Sequence, residues 1–338
     1  MKKIYIIILL TLSFNIAYSQ NDTLVAKDGT VLVGEIKDMD KGVLTMETSF
    51  SDDDFKIEWL QVKTIKSTRS YRIVSSNGDR LFGTITVDST GGKIVINDEK
   101  SGNKEYDLAQ IVYLNHVEAG SILDVLNLSL DLGYSYTKTS ELHQLNGSFN
   151  ADYLTNVWGI TSYANTVQSV QRDVSPISRT GAGLGLKLFF KHDIFAGTDV
   201  DIFSNNEQRL NLRTNYDVNI GKYFIHTNRI YFNSNIGIVY TTEDYMDTIA
   251  DRNNVEGKFG MEYNMFDVGD LNFLASVSLY PSITDAYRLR TVANIKLKYD
   301  LPRDFYIKFG LDYNYDTKPI EGISPDDYVF TAGIGWEL

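Results

Sequence analysis

The chain contains no cysteine. A disulfide framework, a thiolate metal site and a cysteine nucleophile are therefore excluded together, and no residue is available for a lipid-modified N-terminus. Histidine is scarce, with His116, His143, His192 and His226 the whole set, which limits metal and acid–base chemistry. Positive charge is also in deficit, at Lys+Arg 32 against Asp+Glu 44. Residues 1–19 hold Lys2 and Lys3 and no acid, so without them the balance is 30 − 44 = −14. A chain so charged offers no electrostatic footprint for nucleic acid. Past residue 19 no apolar run approaches the ~20 residues of a membrane helix, so any membrane insertion must be as a closed barrel. Proline is rare (5), whereas Tyr (22) and Phe (17) abound. Together with Asn-, Asp- and Gly-rich turns, that composition points to an all-β chain.

The N-terminus reads as a secretory signal peptide. Lys2 and Lys3 precede the apolar run Ile4 to Phe14, and Ala17-Tyr18-Ser19 offers small residues before Gln20. Such a run is too short to span about 30 Å of hydrocarbon, and cleavage is expected after Ser19.

Residues 20–117 contain an internal repeat, about 22–67 and 71–116. It superposes Asp28-Gly29 on Asn77-Gly78, an offset of 78 − 29 = 49 without a gap, and aligns Gly34 with Gly83, Gly42 with Gly91 and Gln61 with Gln110. Asp-Gly and Asn-Gly are strong hairpin signals because both turn positions want positive φ. Gly34 and Gly83, inside strands, mark bends. Each unit reads as a small, bent, SH3-like or Sm-like barrel. A unit of this size is marginal alone, so the two are expected to share a core or dock on one another. Ser51-Asp52-Asp53-Asp54 has the acids of a calcium loop but not their alternating spacing or terminal Glu, and reads as a solvated turn.

Residues 121–338 form a second region of twelve alternating segments. The first places Leu128, Leu130, Leu132, Tyr134 and Tyr136 opposite Ser129, Asp131, Gly133 and Ser135. The third, about 157–168, alternates poorly. The segments exceed the five or six residues of an ordinary strand. Tyr153, Trp158, Tyr299, Phe305, Tyr315 and Tyr328 fall near segment ends, as an aromatic girdle would. The opposite face carries Arg213, Asp217, Glu256, Lys258, Glu262, Arg288, Arg290, Lys296, Lys298, Lys308 and Asp312. That set is too charged for a dry core but suits a wet lumen. Connections 3–4 (171–177), 7–8 (242–252) and 11–12 (317–327) are expected to be the long ones, lying outside the cell, and the even-numbered turns short. The fold class is thus all-β: a twelve-stranded antiparallel transmembrane barrel behind a periplasmic repeat region.

The last residues complete the pattern, because alternation runs to the end of the chain. A closing strand must pair with the first strand of its barrel. The spacing Thr331-x-Gly333-x-x-Trp336-x-Leu338 resembles the C-terminal assembly signal of bacterial outer-membrane proteins. Leader, Asp-Gly repeats and a modest barrel ending in this motif make the chain similar to the YdiY-like, "salt-induced outer membrane protein" family. The resemblance implies an outer-membrane location, with membrane lipid and the barrel assembly machinery as partners. It carries over no activity, cofactor or functional residue.

Three functions stay open. The first is a non-enzymatic barrel, structural or a narrow channel. Pairing segments ten and eleven across the 301–304 turn puts Lys296 opposite Lys308 and Lys298 opposite Tyr306. Like charges so placed need acids or anions. Asp131, Asp152, Asp327 and Glu337 are the expected acids of a salt-bridged lumen, with an anion strip as the alternative. The second is a phospholipase-type hydrolase using a Ser-His-Asn set. His143 is the only histidine near the outer leaflet, and by alternation it faces away from Asn146 and Ser148, so the three do not converge. The third places binding of peptidoglycan or a periplasmic protein on the repeats.

Overall fold

The computed structural model describes residues 22–87, 92–116, 126–155, 157–246, 250–266, 268–303 and 305–336. The expected leader, Gly91, Glu337 and Leu338 lie outside these residues. Every described regular element is a strand or a single 3-10 turn.

The repeats build nine strands: β1 (Asp22–Ala26), β2 (Val31–Asp40), β3 (Val43–Glu47), β4 (Phe55–Glu58), β5 (Val62–Ser75), β6 (Arg80–Val87), β7 (Lys93–Asp98), β8 (Gly102–Asp107) and β9 (Ile111–His116). Strand β5 serves both units. Its first half pairs with β1 and its second half with β9. Because β9 also pairs with β2, and β2 with β1, the strands β1, β2, β9 and β5 close a ring. One core spans both units, with Leu24, Ile36, Trp59, Ile73, Ile85 and Leu114 fully buried. The repeats are thus one intertwined module and not two tandem barrels. A strand shared without a linker lets two marginal units bury a single larger core. Two hydrogen bonds join equivalent positions of the repeat: Trp59 Nε1 donates to the Leu108 carbonyl at 2.7 Å and Tyr71 Oη to Asp22 Oδ2 at 3.0 Å. Gly34 and Gly83 mark the bends as expected. A Cβ there would lie 2.0 Å from the Glu47 carbonyl oxygen and 1.9 Å from that of Asn97. The Asp52–Asp54 turn is solvated, with Ser51 Oγ on the Asp53 carbonyl and Asp54 paired with Lys37 at 3.2 Å.

The second region is a twelve-stranded antiparallel barrel sheet in sequence order. Its strands are β10 (Leu126–Thr137), β11 (Leu142–Leu154), β12 (Trp158–Gln171), β13 (Val174–Phe189), β14 (Ile194–Asn205), β15 (Leu210–His226), β16 (Ile230–Tyr245), β17 (Arg252–Met265), β18 (Leu271–Pro281), β19 (Leu289–Leu301), β20 (Phe305–Asp316) and β21 (Asp326–Trp336). The weakly alternating third segment is a full strand, β12. Outward positions are apolar and exposed, from Leu128 and Leu132 through Ile236 and Ile238 to Phe330 and Ile334. A band so extensive suits hydrocarbon and not water. Tyr153 stacks on Trp158 at 5.2 Å at the band's margin. Curvature brings distant strands together, so Gln208 after β14 donates to Asp327 of β21 at 3.1 Å. Strands β10 and β21 end the ladder, and no pairing joins them among the described residues.

Two of the three expected long connections hold, at residues 246–251 and 317–325. The 171–177 connection does not. There β12 and β13 extend until only Arg172 and Asp173 turn, with Asp173 at φ 59°. The polar run was read as loop, yet it continues the ladder as exposed strand. Residues 282–288 form a further long connection instead.

The repeat module sits against the barrel end that carries the even-numbered turns. Arg72 donates to the Leu154 carbonyl before β12. Arg80 lies 3.8 Å over the Phe189 ring at the end of β13. Asn228, between β15 and β16, donates to the Ala109 carbonyl at 3.1 Å, and Lys41 lies 5.3 Å over Phe266 after β17. Burial at this junction pushes the Arg72 and Arg80 guanidinium pKa values down and the Tyr113 phenol up to about 12. Two turn glycines make the closest approaches. A Cβ on Gly78 would lie 2.2 Å from the Asp193 nitrogen, and one on Gly42 2.8 Å from the Asn228 carbonyl oxygen.

Candidate functional site

The inward face is the one continuous polar surface of the barrel, and strand pleat puts the expected charges on it. Its two sides differ. On one side, formed by β12 to β19, charges are buried and paired. Glu243 on β16 takes Arg213 Nη2 of β15 at 2.7 Å and Arg288 Nη1 at 2.9 Å. Arg288, just before β19, also donates through Nε to Asp316 Oδ1 at 3.1 Å. Arg288 and Glu243 are 2% and 1% exposed, so water does not screen the pair. One turn deeper, Arg290 Nε donates to Glu256 Oε1 at 2.9 Å. Thr241 donates to the other Glu256 oxygen at 3.1 Å, and the Tyr280 ring lies 5.0 Å below the guanidinium. Lys258 pairs with Asp217, whose carboxylate also accepts from Asn219 Nδ2 at 3.0 Å. Tyr163 of β12 crosses Gly183 to reach Asp201 of β14 at 2.8 Å. A Cβ on Gly183 would lie 2.3 Å from the Tyr163 ring, so this crossing requires glycine.

The expected acids for the five cations Arg288, Arg290, Lys296, Lys298 and Lys308 are Asp131, Asp152, Asp327 and Glu337. The acids found for Arg288 and Arg290 are Glu243, Glu256 and Asp316. Glu256 lies two strands from Arg290, about 10 Å at ordinary strand spacing, which a guanidinium side chain reaches. Asp131 instead accepts from Ser148 at 3.0 Å, and Asp327 from Gln208. The structure brings Arg213, Asp217, Glu256, Lys258, Arg288 and Arg290 together on this side. Glu243, Asp316, Tyr163 and Asp201 were missed. Glu243 and Asp316 stand at segment ends, and Tyr163 lies on the poorly alternating segment.

The other side, formed by β18 to β21, is wetter. Lys298 stands directly opposite Lys308, and Lys296 opposite Gly310. The expected register therefore shifts by two residues along β20, and Asp300 takes the place opposite Tyr306. This register follows from β20 beginning at Phe305, directly across from Leu301. Lys298 pairs with Asp300 at 3.1 Å and lies 4.7 Å over the Tyr306 ring. Asp312 accepts from Asn294. Among the described residues Lys296 and Lys308 have no ion-pair partner. All three lysines line a cavity of about 420 Å³.

Thr331 and Gly333 face this wall, opposite Gly310 and Lys308, whereas Trp336 faces outward opposite Phe305. His143 lies on the outer face, its Nδ1 2.8 Å from the Tyr134 hydroxyl. Ser148 faces inward to Asp131. His143 and Ser148 therefore do not pair. Among the described residues no cluster of His, Asp and Glu is arranged to hold a metal ion.

Fold and lumen together define a membrane-type antiparallel β-barrel carrying a docked β-repeat module. The chain belongs to the family described as "Protein of unknown function, DUF481", the family of YdiY-like proteins, whose model matches residues 126–337. The match covers the barrel and leaves the repeats outside. No curated protein matches the chain. Among solved structures it is similar to one titled "NanC porin structure in rhombohedral crystal form", at 12% identity and a TM-score of 0.39, over 62% of this chain and 100% of that one. It is also similar to CdiB from Acinetobacter baumannii, at 10% identity and a TM-score of 0.25, over 83% of this chain and 60% of that one.

Proposed function

We propose that the protein is a non-enzymatic outer-membrane barrel acting as a narrow channel, with its repeat module in the periplasm at the barrel mouth. One observation carries this reading: the lumen is only partly filled. The Glu243 and Glu256 networks fill the space beside β15–β19, while a cavity of about 390 Å³, lined by Thr161, Lys187 and Tyr223, remains beside β11–β16 and another of about 420 Å³ with solvated charge beside β17–β21. A purely structural barrel gains nothing from leaving like charges facing each other there. The location rests on the exposed apolar band, the Tyr153–Trp158 stack at its margin and the leader-like residues 1–19. Placing the module in the periplasm follows from its attachment at the short-turn end, since short turns are the periplasmic ones in such barrels. Assembly would involve the outer-membrane barrel machinery reading the Thr331–Trp336 pattern. A hydrolase is disfavoured by His143 and Ser148 standing on opposite faces.

Planar-bilayer recording of the refolded full-length protein tests the reading. Small, discrete conductance steps are the expected result. A silent but correctly folded, heat-modifiable protein would establish a structural barrel instead.

A further inference from the structure

We infer that the Lys296, Lys298 and Lys308 wall is a binding site for a multivalent oxyanion, a phosphate or phosphate ester, and that it biases passage toward anions. The second half of this inference rests on the channel reading above; the first does not.

Register gives the argument. Lys298 and Lys308 are directly opposed, so their Cβ atoms stand about 5 Å apart, and Lys296 follows on the same face about 7 Å along. Flexible four-carbon stems let three such ammonium groups converge on one ion. Nearby side chains do little to neutralise Lys296 and Lys308. Lys296 faces Gly310 across the strand pair, and Lys308 faces Gly333, so neither has a cross-strand carboxylate. Asp300 pairs with Lys298, and Asp312 accepts from Asn294 and keeps its charge on the same cavity, so three lysines face two carboxylates and the wall stays net positive, 3 − 2 = +1. The two glycines let side chains lie across the wall, the Lys308 stem over Gly333 and the Thr331 hydroxyl over Gly310. A Cβ on Gly333 would lie 3.2 Å from Lys308 Cε. The contrast with the other wall is chemical as well as electrostatic. The guanidiniums there, and Lys258, are held by fixed carboxylates, whereas Lys296 and Lys308 are ammoniums with no carboxylate partner among the described residues, and ammoniums bind phosphate as point charges. A monovalent ion would answer one lysine; a phosphate answers two or more. All three lysines have inward parity, which keeps the site away from lipid headgroups on the outer face.

The test uses full-length protein folded in detergent. Titration with inorganic phosphate, followed by calorimetry and by phosphorus NMR line broadening, should show saturable binding. Lys296→Gln with Lys308→Gln should weaken it by about tenfold or more, the scale of losing charge-assisted contacts. Lys138→Gln, in the β10–β11 turn, should leave it unchanged. Heat-modifiable migration checks that each variant is folded. Absence of binding, or equal binding by wild type and double variant, overturns the site. In a salt gradient the reversal potential should favour the anion, and Lys296→Glu with Lys308→Glu should move it toward the cation. Conductance without anion preference would sink the selectivity claim while leaving the channel standing. No conductance would sink the channel reading, and the phosphate titration would still decide the site.

Discussion

The two sides of the lumen treat their charge in opposite ways. Between β12 and β19 the buried or half-buried cations Arg213, Lys258, Arg288 and Arg290 each have a carboxylate, and Glu243, Glu256 and Asp217 each have a second donor, while Lys187 lies over the Phe195 ring. Between β18 and β21 the lysines are solvated, and two of the three lack an ion-pair partner among the described residues. Burial decides the difference. Once Arg288 and Glu243 are out of water, an unpaired member would cost several kcal/mol, so such positions tolerate only complete networks. Exposed lysines pay little for standing alone. The first wall therefore fixes the barrel's shape, and the second is free to carry function.

The sharpest way to break that comparison is to remove one carboxylate. Glu243→Gln leaves Arg213 and Arg288 sharing a neutral amide in a dry site. Truncating a buried pair costs about 3–5 kcal/mol. Urea unfolding in detergent should show the variant losing stability on that scale. Glu256→Gln should follow closely, since Arg290 then keeps only Thr241 and the Tyr280 ring. A Glu243→Gln barrel as stable as wild type would mean that the network is wet.

How much of this was legible in the sequence follows the same division. Alternation puts a residue on a face, so the inward parity of Arg213, Arg288, Arg290, Lys296, Lys298, Lys308 and Asp312 could be read directly. Pairing across the lumen depends on curvature, which no local pattern encodes. Glu243 and Asp316 were missed for that reason, and Asp131 and Asp327 were given partners that they do not have. Likewise the polar 171–177 stretch looks like a loop, because an exposed strand and a loop have the same composition. The repeat was visible as a 49-residue offset, but the sharing of β5 between the two units was not. Hydrogen bonding of its two halves to different partners is a tertiary fact.

The repeat module offers an intermediate test, because its two units share a fold and differ in what they touch. Gly29 and Gly78 are equivalent turn glycines at φ 92° and 82°. Nothing lies within 4 Å of a Cβ on Gly29, whereas one on Gly78 would collide with the Asp193 backbone. Both Ala variants carry the left-handed backbone penalty of about 1–2 kcal/mol. Only Gly78→Ala should also loosen the module from the barrel. Hydrogen exchange of the docked strands β6 and β9 should accelerate in Gly78→Ala and stay at the wild-type rate in Gly29→Ala. Equal acceleration would show that the turn strain, and not docking, is responsible.

The smallest expected effect is the one that most directly tests the second wall. Lys308→Gln removes a charge that stands opposite Lys298 and has no ion-pair partner among the described residues. If that wall is free of structural duty, stability in the same urea experiment should change by no more than about 0.5 kcal/mol, the range of ordinary surface substitutions. Any shift should be toward greater stability, because relieving a facing like charge is favourable. Raising the salt concentration should shrink even that gain, since screening at cellular ionic strength already acts within about 8 Å. A loss of stability comparable to that of Glu243→Gln would mean that Lys308 holds the barrel together, and the division between a structural wall and a functional one would fail.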